Sequence, residues 1–106
     1  MKKIRKLSKD ERLIMFMIVN NPPNGLKGLT KEDGIKRGPL MKKLMENLQL
    51  VNGNIDFTPV ANKDLDLEEN MVSLLIDCFE NATFPTMMDL ENANKIKKKL
   101  YAAMAV

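Results

Sequence analysis

Lys36, Arg37, Lys42, Lys43 and Asn47 are the residues whose types and spacing suit nucleic acid. Four cations at helical spacing could neutralise backbone phosphates, and an asparagine one turn further on could read a base edge. Catalytic chemistry has poorer material. The chain has no histidine, which removes the commonest general base and the commonest transition-metal ligand. Its two serines, Ser8 and Ser73, therefore cannot form a histidine-dependent triad. The single cysteine, Cys78, cannot make an internal disulfide or a zinc cluster. It sits between Asp77 and Phe79 on an apolar stripe, a setting for a buried inert thiol rather than a nucleophile. The segment Gly25-Leu26-Lys27-Gly28-Leu29-Thr30 echoes a phosphate loop but lacks the Gly-Lys-Ser/Thr ending and a preceding strand. The carboxylate clusters Asp64-Asp66, Glu68-Glu69 and Asp89-Glu91 read as helix caps rather than a calcium loop. No catalytic residue, cofactor site or metal site is expected, and no enzymatic activity.

Two apolar groups suggest a different role. Leu13 to Val19 is an unbroken apolar run, so a helix there buries several sides or meets a partner. Phe16 and Met17 are its candidate contact residues. Met87 and Met88 follow a proline and precede the last helix, where exposure is expected; methionine adapts its shape to varied partners. The run of seven is far too short to span a membrane. The start, Met1-Lys2-Lys3-Ile4-Arg5-Lys6, is basic like a secretory signal, but Asp10, Glu11 and Arg12 interrupt the apolar region that should follow. A cytoplasmic location without membrane contact is the expectation.

The elements that must position these groups follow from local signals. Composition fits one small globular domain: 106 residues, 44% hydrophobic and 29% charged. Residues 1–6 read as a loose basic arm. Ser8-Lys9-Asp10-Glu11 is a capping box, predicting a helix from about Lys9 to Val19. Asn20-Asn21-Pro22-Pro23-Asn24-Gly25 ends it. Thr30 caps a short turn of helix to Lys36, and Pro39 restarts a second helix to about Leu48 with the stripe Leu40, Met41, Leu44, Met45 and Leu48. Asn52-Gly53 between Leu50-Val51 and Ile55-x-Phe57 predicts a two-residue hairpin turn. Asp66 caps a helix striped by Leu67, Met71, Leu74, Leu75, Cys78 and Phe79. Phe84-Pro85 breaks it, and Thr86 or Asp89 begins a last helix striped by Leu90, Ala93, Ile96, Leu100 and Met104. Lys95, Lys97, Lys98 and Lys99 are placed near its C-terminal end, where the dipole favours cations. These last two helices, over residues 64–104, should pack antiparallel. The fold class is mainly α with one small hairpin: four or five helices in a single compact domain.

The order helix, helix, hairpin over residues 30–57 also occurs in winged-helix domains, so a winged-helix-like DNA- or RNA-binding regulator is the alternative function. The hairpin tip is uncharged, however, and the presumed recognition helix has no arginine. Charge is uneven. Residues 1–50 hold twelve Lys and Arg against five Asp and Glu, a net +7; residues 51–106 hold five against nine, a net −4. Such halves attract each other or are simply solvated.

Four motifs share a layout. Lys6-Leu7-Ser8-x-x-Glu11-Arg12 opens the first helix and Asn52-Gly53-x-Ile55-x-Phe57 forms the hairpin. Lys63-Asp64-Leu65-x-Leu67 with Leu75 leads the third part, and Lys99-Leu100-Tyr101 closes the chain. Spanning nearly the whole length, this layout resembles certain small phage and prophage proteins of unknown function. The resemblance implies a phage or prophage origin and a helper role inside a bacterial host, with no activity to assign residue by residue. The leading expectation is a small non-enzymatic protein-interaction module whose partner is another protein or a second copy in a homodimer.

Overall fold

The chain runs β1 (Lys2–Leu7), α1 (Lys9–Asn20), α2 (Lys31–Met45), the hairpin strands β2 (Gln49–Val51) and β3 (Asn54–Asp56), a 3-10 turn at Thr58–Val60, β4 (Lys63–Leu67), α3 (Glu69–Asn81) and α4 (Met87–Met104). This computed structural model describes residues 1–21 and 31–106. The protein is mainly α with a small hairpin, as its sequence pattern predicts. One buried cluster joins side chains from β1, α1, α2, β4, α3 and α4. The radius of gyration of 13.2 Å matches the roughly 13 Å of a single domain this long.

The capping box forms as predicted. The Glu11 amide donates to Ser8 Oγ at 3.1 Å, and the Ser8 amide donates to Glu11 Oε1 at 3.0 Å. The hairpin also forms as predicted. Asn52 and Gly53 have φ of +51° and +79°, the left-handed values a two-residue turn of this kind requires. Val51 pairs with Asn54, Leu50 with Ile55 and Gln49 with Asp56. The Thr86 hydroxyl accepts from the Asp89 amide and starts α4.

Five expectations are corrected. Residues 2–7 are a strand rather than a loose arm, antiparallel to β4, with Ile4 and Leu7 fully buried. Their spacing of three hides the strand, because the register shifts between Ile4 and Leu7. Lys6 there takes φ +47°, and its amide donates to Asp64 Oδ1 at 2.8 Å. Asp66, expected as a helix cap, lies within β4 opposite Lys3, and α3 begins after Glu68 instead. The alternation Asp64-Leu65-Asp66-Leu67 buries both leucines against the core and leaves both acids outside.

The helix through Gly38-Pro39 does not restart. α2 is continuous, with Pro39 inside it. An internal proline costs about 3 kcal/mol. Gly38 and Pro39 face solvent, whereas Leu40 and Leu44 are fully buried, each worth about 1.5–3 kcal/mol. Burial therefore offsets the lost hydrogen bond. The helix ends at Met45, not Leu48. Finally, α4 runs to Met104, so its lysines occupy the middle of the helix and none lies in the last turn. The dipole at its C-terminus does not account for them. The connection from α3 to α4 leaves in an extended conformation at Ala82, and Phe84 stacks on Phe79 at 6.2 Å. Tyr101 then donates to Glu80, which ties the end of α3 to the second half of α4.

Candidate interaction surfaces

Of the cations proposed for nucleic acid, Arg37 has another duty. Arg37 donates from Nε to the Val19 carbonyl at 2.8 Å and from Nη2 to the Asn20 carbonyl at 2.6 Å. It thereby caps the C-terminal end of α1, whose last carbonyls lack amide partners within the helix. Lys43 Nζ lies 3.8 Å from Glu46. Asn47 adopts φ +64° just past α2, a position that helices fill with glycine or asparagine to stop. Lys42 is exposed. Lys36 belongs to α2, and its side chain falls outside what the structure describes, as does the Gly25–Thr30 segment.

Of the apolar candidates, Phe16 is half-buried and meets Phe57 edge-on, centroids 5.9 Å apart. It helps hold the 3-10 turn to α1. Met17 is 58% exposed, with exposed Leu13 one turn before it. Met87 and Met88 are 73% and 72% exposed at the first turn of α4, and Leu90 follows at 41%. The core does not need them: Ala93, Ile96, Leu100 and Ala103 form the buried face of that helix. Sequence reasoning missed the hairpin as apolar surface. Leu50 is 76% exposed, with Val51 and Met45 also exposed. The signal was present, since two three-residue strands cannot cover a strand-like apolar flank on both sides.

The basic N-terminal strand is engaged. Arg5 lies 3.6 Å from Asp64, and Lys3 pairs across the ladder with Asp66. Here the opposite charges of the two halves of the sequence meet. Lys99 reaches from the middle of α4 to Glu11 Oε1 at 2.7 Å and to the Lys6 carbonyl at 2.8 Å, tying α4 to β1 and to the start of α1. Glu11 is buried and Lys99 is 29% exposed along its side chain. Burial pushes the Glu11 carboxyl up, but hydrogen bonds from Lys99 and Ser8 outweigh it and hold the group below its ordinary value. Arg12, also buried, is shifted down by desolvation, and its Nε has no hydrogen-bond partner among the described residues. A cleft of about 460 Å3 between β1 and the end of α4 is lined by Lys2, Lys3, Arg5 and Lys99 with Ala102 and Ala103. Its cations are largely spoken for: Lys2 donates to the Val106 carbonyl, Arg5 faces Asp64 and Lys99 holds Glu11.

Cys78 is buried on α3, as its stripe position predicts. Among the described residues no group of three His, Cys, Asp or Glu side chains is placed to hold a metal, and no helix is long and apolar enough to cross a membrane. No family model, no curated protein and no solved structure matches the chain.

Proposed function

We propose that the chain is a small non-enzymatic protein-interaction module, a helper of the phage or prophage kind that its motif layout implies. The observation that carries this reading is the pair Met87 and Met88, both exposed on a helix whose first turn is capped and whose opposite face is anchored in the core. Two flexible thioether side chains on a fixed helix offer adaptable apolar contact without a folding cost to the partner site. Leu90 beside them extends the patch. The duties of Arg37, Lys43 and Asn47 within the fold favour this reading over phosphate binding. The alternative, a winged-helix-like nucleic-acid binder, draws on α2 being followed directly by the hairpin and on the exposure of Lys42.

Site-directed photocrosslinking tests the module reading. A photoreactive residue replaces Met88 in one variant and Asn70, exposed on α3, in another. Both are expressed in a bacterial host. A discrete protein adduct at position 88 and none at position 70 is the expected result. Equal, diffuse labelling at both positions would refute it.

A further inference from the structure

β1 belongs to a two-stranded sheet. β4 pairs with one of its edges, and no strand among the described residues pairs with the other. A strand in such a ladder turns every second N–H and C=O away from its partner. α4 packs along β1 rather than along β4, so it flanks the free edge. The two run in opposite directions: Lys99 donates to the Lys6 carbonyl, and Lys2 donates to the Val106 carbonyl. Lys99 closes the gap at Lys6. Between Lys2 and Arg5 the gap widens into the cleft of about 460 Å3, with Ala102 and Ala103 on its helical wall.

Charge at the cleft has one sign. Lys2, Lys3, Arg5 and Lys99 line it, and no acid does. Lys99 is committed to the buried Glu11. Arg5 is held loosely: it faces Asp64 at 3.6 Å with its side chain 71% exposed, and ion pairs this open are worth about 0–1 kcal/mol. β4 shows what an edge of β1 accepts. It alternates Asp64-Leu65-Asp66-Leu67, with both leucines in the core, Asp66 opposite Lys3 and Asp64 beside Arg5. A strand on the free edge meets the same residues from their other side. Its outward side chains neighbour Lys3 and Arg5, and its inward ones lie against Ala102 and Ala103.

We propose that the free edge of β1 takes an extended acidic segment of a partner protein as a third strand, its carboxylates beside Lys3 and Arg5 and its alternate apolar side chains over Ala102 and Ala103. Main-chain hydrogen bonds supply affinity, and the alternating side chains supply the choice of partner. The occupant is a different chain. Pairing two β1 edges would set Lys2, Lys3 and Arg5 against their own kind, and the acidic strand that each copy carries, β4, is already paired. A nucleic acid would meet the cations, but its phosphodiester backbone has no donors for the strand's carbonyls. This surface is separate from the Met87–Met88 patch. Met88 lies about 21 Å along α4 from Ala102, at about 1.5 Å per residue, so either surface can fail without the other.

An NMR titration of the full chain with a peptide repeating Asp-Leu, the pattern of β4 at the six-residue length of β1, reads this directly. Saturable binding is expected at about 10–500 µM in about 50 mM salt. The amides of Lys2–Arg5 and of Ala102 and Ala103 should shift, and those of β4 should stay protected from exchange. The same peptide N-methylated at every residue keeps its charge and loses its donors; it should bind about tenfold or more weakly. Lys3→Ala/Arg5→Ala should weaken the unmodified peptide by a similar factor. Both positions are exposed, and circular dichroism checks that the fold is kept. The proposal is overturned by no saturable binding up to about 2 mM, by equal binding of the N-methylated peptide, by an unaffected double variant, or by loss of protection in β4. A single-stranded oligonucleotide that shifts the same amides at lower concentration than the peptide also overturns it.

Discussion

Replacing Lys99 with methionine removes one ammonium and keeps most of the side-chain stem. In the wild type that ammonium holds Glu11 Oε1 at 2.7 Å and the Lys6 carbonyl at 2.8 Å. Glu11 is 4% exposed, and its other oxygen, Oε2, has no hydrogen-bond partner. The variant therefore strands a buried carboxylate with only the Ser8 amide beside it. Leaving a buried charge unpaired costs about 3–5 kcal/mol. Lys99 is 29% exposed, so water reaches part of the gap and the loss falls to the bottom of that range, about 3 kcal/mol. A domain of 106 residues has a total stability of about 5–15 kcal/mol, so the loss is a large fraction. Urea unfolding of the wild type, Lys99→Met, Glu11→Gln and the double variant forms a cycle. The double variant should lose clearly less than the sum of the two single losses, because neither charge is then stranded. The pH dependence carries a sign. Glu11 in the folded wild type titrates below its unfolded value. Its contribution is thus full above the unfolded value and is lost as pH falls through the folded one. In Lys99→Met the lowering by Lys99 is lost while burial and the Ser8 hydrogen bonds remain, so the folded carboxyl rises toward its ordinary value and the loss of stability on acidification shrinks. A Lys99→Met variant within about 0.5 kcal/mol of the wild type, with an unchanged acid limb, would refute the reasoning.

Three further outcomes follow from the same structure. Gly53→Val should lower stability by about 1 kcal/mol or more in urea unfolding, since φ +79° resists a β-branched residue although open space surrounds the position. Arg37→Ala should cost about 1–3 kcal/mol by uncapping the Val19 and Asn20 carbonyls, and hydrogen exchange should quicken at the end of α1 before it does in α3. Cys78 should resist alkylation in the native protein and react only on unfolding; rapid native labelling would contradict its burial.

The features legible in the sequence are those specified by neighbouring residues. Ser8 with Glu11, Thr86 with Asp89, and Asn52 with Gly53 each define a cap or turn within four positions. The stripe on α3 from Met71 to Phe79 was equally readable, because buried residues recur at helical spacing. Leu67, however, lies in β4, and on α4 only Ala93, Ile96 and Leu100 of the expected stripe are buried, Leu90 being exposed and Met104 half-buried. β1 was not readable: its register shift puts Ile4 and Leu7 three apart, and its partner lies about sixty residues away. β4 did carry a period of two in Asp64-Leu65-Asp66-Leu67, but an acid before an apolar run also signals a helix cap. The continuity of α2 depends on burial of Leu40 and Leu44, which local rules about proline cannot include. For the candidate surfaces, the exposure of Met17, Met87 and Met88 was legible. The structural roles of Arg37, Asn47 and Lys99 were not, since each depends on a contact or a backbone angle set by the assembled fold.

The central claim is that this chain meets a protein surface rather than nucleic acid. A binding titration of duplex and single-stranded nucleic acid, at about 50 and about 200 mM salt, tests it on the wild type and on Lys42→Glu/Lys43→Glu. With Arg37 capping α1 and Lys43 beside Glu46, two of the four cations expected to contact phosphates are engaged within the fold. The predicted result is no binding tighter than about 10 µM at the lower salt, with the double variant indistinguishable from the wild type. Submicromolar binding that falls steeply with salt and disappears in the double variant would contradict the account.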